Sequence, residues 1–158
     1  MLKNLIVLPD GTELFSGAGT VNAIQSVSLT QRVNSGTELT LGSTCAAMLE
    51  ATLFTPDGGL ELARGAEVML YKVDGDERTL AGTFVVEKIT RPSKNRCQIT
   101  AYDRVSRLDR DLSQWLESLN RWPYTLKTFA QMVCSACNLN LVDTSFPNES
   151  LQVQKFTA

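Results

Sequence analysis

Apolar and polar residues alternate with a period of two through most of the first hundred residues, a pattern typical of half-buried β-strands. An apolar run at Leu5–Leu8, the turn sequence Pro9–Thr12 and a second run at Glu13–Phe15 predict a hairpin. In the next run, Val27 and Leu29 share one face of a strand. About seven such short runs, separated by glycine-bearing turns, predict a β-barrel or a β-sandwich.

For two of the later strands, the residue pattern also predicts which side chains are buried. The strand that opens at Gly65 has apolar residues on both faces, so we expect it to be covered on both sides. In the following run Leu80, Phe84 and Val86 share one apolar face, and Pro92 is expected to end the strand.

The hydrophobic period changes from two to 3.6 at Asp103, which predicts one continuous amphipathic helix. Asp103 is the expected N-cap, and Arg107 and Asp111 follow it at i,i+4 spacing on the polar side. The apolar stripe of this helix consists of Val105, Leu108, Leu112, Trp115, Leu116 and Leu119.

The charges along this segment allow three interpretations: a metal site, a nucleic-acid patch or a solvated helix surface. The acids are Asp103, Asp109 and Asp111, and the bases are Arg104, Arg107 and Arg110. A metal site needs convergent, unpaired carboxylates, whereas every acid in this segment has an arginine within one helical turn. We therefore favour the solvated surface and predict no metal ligands.

A second helix is predicted after Trp122-Pro123-Tyr124, with Thr125 as its N-cap and Asn138 or Asn140 as a left-handed C-cap. Its apolar stripe consists of Leu126, Phe129, Ala130, Val133 and Cys137.

The four cysteines are Cys45, Cys97, Cys134 and Cys137, of which the last two form a CxxC motif. One CxxC is half of a structural zinc site. Because Cys137 lies at the centre of the helical stripe and Cys134 on its edge, we predict that the pair packs in the core. All four cysteines are expected to be reduced.

The composition of the chain excludes several classes of function. The net charge is −2 and no lysine-rich block occurs, so we predict no specific nucleic-acid binding. No apolar stretch approaches the ~20 residues of a membrane span, and the start of the chain lacks the apolar core of a signal peptide. The chain contains no histidine, which removes the usual catalytic triads. We predict a protein that is not an enzyme and that has no catalytic residues and no cofactor.

Two other functions remain open at this point. Trp115, Trp122 and Tyr124 could form a platform that binds carbohydrate or protein, although the stripe position of Trp115 favours core packing. Carboxylates such as Glu13, Glu50 and Asp57 could serve an enzyme, but their spacing pairs none of them.

Four segments of the chain, taken in order, resemble the N-terminal part of tail hub, or tail-associated, proteins encoded by bacteriophages and prophages. The segments are TELTLGSTCAAMLEATLF, LARGAEVMLYKV, LAGTFVVEKITRP and CQITAYDRVSRLDRDL. The most specific element is ITAYDRVSRLD, in which a strand runs directly into a capped helix. The resemblance covers roughly residues 20 to 145.

The resemblance implies a mainly β (α+β) fold, an antiparallel β-barrel of the tail-tube-like type followed by two α-helices. It further implies self-association into a ring beneath the tail tube, as a trimer in the full-length protein, together with contacts to other tail proteins. The expected location is the bacterial cytoplasm during assembly and then the tail tip of the virion.

We expect three regions along the chain. Residues 1–102 form the β-barrel or sandwich domain, and residues 103–145 form a helical segment packed on it. Residues 146–158, in which Leu151 and Val153 restart an alternation, begin a further strand or a truncated inserted domain.

Overall fold

A computed structural model describes residues 2–17, 23–31, 46–56, 58–142 and 145–155 of the chain. The chain divides into two compact units, Met1–Ser106 and Arg107–Ala158. The strands of the first unit are β1 (Lys3–Val7), β2 (Glu13–Ser16), β3 (Ala23–Thr30), β4 (Met48–Phe54), β5 (Glu67–Asp74), β6 (Glu77–Ser93) and β7 (Arg96–Asp103).

These seven strands close into a barrel in the order β1-β2-β3-β4-β7-β6-β5, with β5 pairing back to β1. The predictions of a mainly β chain and of a barrel are therefore confirmed. The prediction of a purely antiparallel barrel is wrong, because β2 and β3 pair in parallel through Phe15–Ala23 and Ser16–Ile24. Alternation along a strand reports its two faces but not the direction of its neighbours.

The predicted hairpin is present between β1 and β2. The Leu8 amide donates to the Thr12 carbonyl at 3.0 Å, and the Gly11 amide donates to the Leu8 carbonyl at 3.0 Å. Gly11 has φ +83°, a conformation that glycine adopts without a steric penalty. The Asp10 carboxylate accepts from the Thr12 amide at 2.9 Å, and this bond lowers the pKa of Asp10.

The inward side chains of all seven strands, together with Leu60 and Leu62, form one apolar core. Phe84 is the largest of its fully buried side chains. A Cβ atom at Gly82 would lie only 2.8 Å from Cζ of Phe84, so Gly82 leaves the space that this ring occupies. Burial of this core is the main source of stability for the barrel.

The prediction for β6 is correct for Phe84 and Val86, which are buried, and wrong for Leu80, which is 51% exposed. The pairing of β6 with β5 shifts by one residue between Leu70 and Tyr71, so that Leu80 pairs with Tyr71. The extra residue on β6 turns Leu80 to the outer face. Pro92 also does not end the strand, because β6 extends to Ser93 and its register with β7 is irregular there.

Burial on the other two predicted strands agrees with their patterns. On β3, Val27 and Leu29 are half-buried and pack against the core. On β5, Val68 and Leu70 are buried on the inner face, and Val73, on the opposite face, is also buried. Met69 and Tyr71 on that face are only half-buried, so the prediction that both faces are covered holds in part.

The single helix predicted from Asp103 onward is wrong. A 3-10 helix spans Arg104–Leu108, and a separate helix α1 spans Ser113–Ser118. Between them, the Asp111 carboxylate accepts from the Ser113 amide at 2.8 Å and also from the Ser113 hydroxyl, which together lower the pKa of Asp111. Such local bonds compete with helical ones, and Leu108 of the predicted stripe is consequently 37% exposed.

Asp103 does act at a helix start, but at the start of the 3-10 helix. Its Oδ1 accepts from the Val105 amide at 3.0 Å. Its Oδ2 accepts from the Ala47 amide at 3.0 Å, and its own amide donates to the Ala47 carbonyl at 2.9 Å. These bonds connect Ala47, the residue before β4, to Asp103 at the end of β7.

In the second unit, helix α2 spans Leu126–Ala136 and begins at its predicted cap, since the Thr125 side chain accepts from the Thr128 amide at 3.2 Å. Asn138 has φ +55°, which confirms the left-handed C-cap. The amides of Asn138 and Leu139 donate to the carbonyls of Ser135 and Cys134 at 3.0 and 2.8 Å, the bonds of a Schellman motif. Strands β8 (Tyr124–Thr125) and β9 (Gln152–Val153) pair in antiparallel fashion.

Candidate functional site

The six charged residues of the 103–111 segment do not converge on one point. Arg104 Nη2 pairs with Glu67 Oε2 at 2.8 Å, which raises the pKa of Arg104. Arg107 Nη1 donates to the Asn138 carbonyl at 3.2 Å and Arg110 Nη1 donates to the Ala136 carbonyl at 3.5 Å. These two arginines therefore meet the C-terminal end of α2, where the helix dipole favours positive charge.

The arginine contacts were missed at the level of sequence. The local i,i+4 pattern points to partners close in sequence, and it does not show that Arg107 also reaches the Asn138 carbonyl, which lies 31 residues further along the chain. Within the described ranges, no group of three or more cysteine, aspartate or glutamate side chains is placed to hold a metal ion.

The three carboxylates that could have served an enzyme are not brought together. Glu13 on β2 pairs with Arg78, with Oε1 and Nη1 2.5 Å apart, and this pair raises the pKa of Arg78. Glu50 lies exposed on β4. Asp57 falls outside the described residues.

The aromatic residues of the second unit pack against one another. Trp122 lies 5.1 Å from Tyr124 in an edge-on arrangement and 5.7 Å from Phe129, and Trp115 lies 6.5 Å from Phe129. Trp122 Nε1 also donates to the Leu119 carbonyl at 3.0 Å. Trp115, Trp122 and Tyr124 are all half-buried. These ring contacts stabilise the second unit, and Trp115 also lines a groove on its surface.

The cysteine pair of α2 follows the stripe prediction. Cys137 is buried, with 2% exposure, while Cys134 is half-buried. Cys134, Cys137 and Cys97 are free thiols, and Cys45 falls outside the described residues. Burial raises the pKa of the Cys97 thiol, an effect partly opposed by the charge of Arg91.

A groove of about 400 Å³ lies on the outside of the barrel, across β3, β4, β7 and β6. The strand registers arrange its outward side chains in two rows. We call these eight residues the hydroxyl face: Ser28, Glu50, Thr100 and Lys88 form one row, and Ser26, Thr52, Gln98 and Thr90 form the other.

The hydroxyl face is polar throughout and carries no net charge. Its two ionic residues, Glu50 and Lys88, lie in the same row with Thr100 between them. The alternate residues Ala51 and Ile99 point into the core. In the part of the chain that the structure describes, none of the eight side chains makes a hydrogen bond to the protein. Their donors and acceptors are directed to solvent.

The outer face on the other side of the barrel has the opposite character. Cross-strand pairing aligns Phe15, Leu5, Tyr71 and Leu80 from β2, β1, β5 and β6, a set that we call the apolar row. Leu5 is 0% exposed although it does not belong to the barrel core, and nearby Val73 is 7% exposed. Leu5 and Val73 are therefore shielded from solvent, whereas Leu80 at the end of the row is 51% exposed.

Sequence reasoning found the single strands that form these faces but not the faces themselves. The alternation that puts Val27 and Leu29 on one face of β3 also puts Ser26 and Ser28 on the opposite, polar face. A cross-strand row depends on pairing registers, and Leu80 joined the apolar row only through an unpredicted bulge.

Comparison with known proteins shows a similarity of fold. No protein-family model and no curated protein matches the sequence. Among solved structures, the crystal structure of the 43 kDa tail protein of prophage MuSo2 from Shewanella oneidensis is similar, with a TM-score of 0.56 and 17% sequence identity. The match covers 98% of this chain and 45% of that protein. This chain therefore has the fold of a part, less than half in length, of a prophage tail protein.

Proposed function

We propose that this chain is a structural component of a phage or prophage tail and forms part of the hub ring at the tail tip, beneath the tail tube. The observation that carries the proposal is the fold likeness to a prophage tail protein over nearly the whole chain. The closed seven-stranded barrel supports a mechanical role, because closure satisfies the strand edges and gives a rigid building block.

The proposed role is not enzymatic. Among the residues that the structure describes, Glu13 is held by Arg78, and the cross-strand partners of Glu50 are Ser28 and Thr100, so neither is in a carboxylate pair of the kind that glycoside hydrolysis uses. We expect purified protein to show no turnover on peptidoglycan. Release of soluble fragments at a rate that depends on Glu13 or Glu50 would contradict this part of the proposal.

The proposed mechanism is assembly by complementary surfaces. In a ring, every subunit contacts one neighbour through one surface patch and the other neighbour through a second, different patch. The ring closes when the rotations between adjacent subunits add up to a full turn. The full-length product, a trimer in this proposal, would place its barrels around a channel wide enough for DNA. Neighbouring tail proteins would contact the two ends of the ring.

The experiment is to locate the protein in particles and to measure its assembly. Antibodies against this chain are expected to label one end of purified tails in electron micrographs. Light scattering of the full-length product should give a trimer mass, and electron microscopy should show rings. Absence of the chain from purified tails, or a strictly monomeric full-length product, would overturn the proposal.

A further inference from the structure

The hydroxyl face is an open outer surface of the barrel, and its chemistry restricts what it can contact. Eight polar side chains cover it in two rows, on four strands whose pairing is continuous from β3 to β6. Five of the eight are serine or threonine hydroxyls. Because their hydrogen-bonding groups are not used within the described protein, water satisfies them.

This face is a poor surface for permanent contact with protein. The core of a protein interface is depleted in charge and enriched in aromatic residues, methionine and arginine, and the hydroxyl face has none of these last three. The apolar row on the opposite side, which includes Phe15 and Tyr71, has the composition that interfaces use. Of the two outer faces, the hydroxyl face is the one suited to remain wet.

The charge of this face also fits a polyanion that must move past it. Affinity for duplex DNA comes from lysine and arginine side chains that neutralise phosphates and release counterions. The hydroxyl face has one such residue, Lys88, and the Glu50 carboxylate two strands away balances it. Neighbouring strands are about 4.8 Å apart, so the two charges lie within about one Debye length of each other.

We propose that the hydroxyl face is turned toward the channel and forms the wall past which double-stranded DNA moves. This inference rests on the proposed tail function. It adds which side of the barrel faces DNA. It also names the property that lets DNA pass, which is a hydrated surface without net charge. The positions that define the wall are those of the two rows, with Thr52 and Thr100 at their centre.

The test adds positive charge to the wall of complete particles. The double variant Thr52→Lys/Thr100→Lys places two lysines on the hydroxyl face, and Gln114→Lys/Gln154→Lys adds the same charge at exposed positions of the second unit. We expect both variants to give normal numbers of intact tails in electron micrographs. DNA delivery per particle should fall about tenfold or more for the first variant only, because the added lysines hold phosphates.

The other possible results distinguish a failure of the proposed tail function from a failure of the channel-wall proposal. If the chain is missing from purified tails, the tail function itself fails, and the channel wall fails with it. If the chain is present but the first variant delivers DNA as well as the control, the face does not meet DNA. If the first variant alone fails to assemble although the isolated chain is folded, the hydroxyl face is a subunit contact. Saturable binding of soluble cell-wall glycan to this face, abolished by Thr100→Val, would identify a receptor-binding surface instead.

Discussion

At the scale of single residues, Gly82 is the position where the barrel core has the least room. An added methyl group would meet the Phe84 ring at 2.8 Å, and that ring is almost fully buried and cannot move aside. We expect Gly82→Ala to lower the free energy of unfolding by about 1–3 kcal/mol through overpacking. Chemical denaturation measures the change.

Gly59→Ala is the matched control for this substitution. No heavy atom lies within 4 Å of a Cβ built at Gly59, so this variant should stay within about 0.5 kcal/mol of the parent. Equal losses in the two variants would show that the cost of Gly82→Ala does not come from contact with Phe84.

Asp103 links two parts of the barrel that are far apart in sequence. Its carboxylate accepts from the amides of Ala47 and Val105, both at 3.0 Å. Because Asp103→Ala removes both acceptors, we expect it to cost about 1–3 kcal/mol in the free energy of unfolding. Asp109→Ala, at an exposed carboxylate in the same charged segment, serves as the control and should be nearly neutral. A loss of similar size in the control would contradict the role given to Asp103.

The buried thiol of Cys97 makes stability depend on alkaline pH. Burial raises its pKa in the folded state above the unfolded value of about 8.5. The stabilisation is therefore fully present below about pH 8.5 and is lost as the pH rises through the folded pKa. Relative to Cys97→Val, which cannot ionise, the parent protein should lose free energy of unfolding above that pH. Parallel stability curves for the two proteins from pH 7 to above pH 9 would refute this assignment.

At the scale of elements, helix α2 depends on its end groups because the apolar residues between Leu126 and Ala136 are only half-buried. The Thr125 side chain accepts from the Thr128 amide. We expect Thr125→Ala to destabilise the second unit by about 1 kcal/mol, while Thr125→Ser, which keeps the oxygen, should restore most of the loss. Circular dichroism during thermal unfolding can follow the helix. An alanine variant as stable as the parent would show that the cap contributes little.

The elements that sequence predicted best are those with purely local causes. The β1–β2 hairpin follows from Gly11 and Asp10, and α2 begins at Thr125 and reaches a left-handed residue at Asn138 as predicted. The helix from Asp103 failed for an equally local reason. The spacing of its apolar residues suits a helix, but Asp111 binds the Ser113 amide and interrupts it.

The sequence did not predict the features that depend on pairing between strands distant along the chain. The parallel β2–β3 pair and the bulge that turns Leu80 outward depend on which strands become neighbours, and a residue pattern does not contain that information. The same holds for the hydroxyl face, whose two rows exist only once β3, β4, β7 and β6 are in register.

At the scale of the whole molecule, the first unit is a closed barrel whose outer surface carries the hydroxyl face on one side and the apolar row on the other. Within the described ranges, no helix is long and apolar enough to cross a membrane. The Glu13 carboxylate on β2 is paired with Arg78, and the Glu50 carboxylate lies exposed on β4. The proposed role as a building block would use these two surfaces for different contacts.

The most direct test is a cryo-electron microscopy map of the tail end in particles that contain this protein. We predict a ring of seven-stranded barrels beneath the tail tube, with Thr52 and Thr100 facing the central channel and Leu80 turned away from it. A map in which this chain lies outside the tail axis, or in which the hydroxyl face is buried between subunits, would contradict the proposed role.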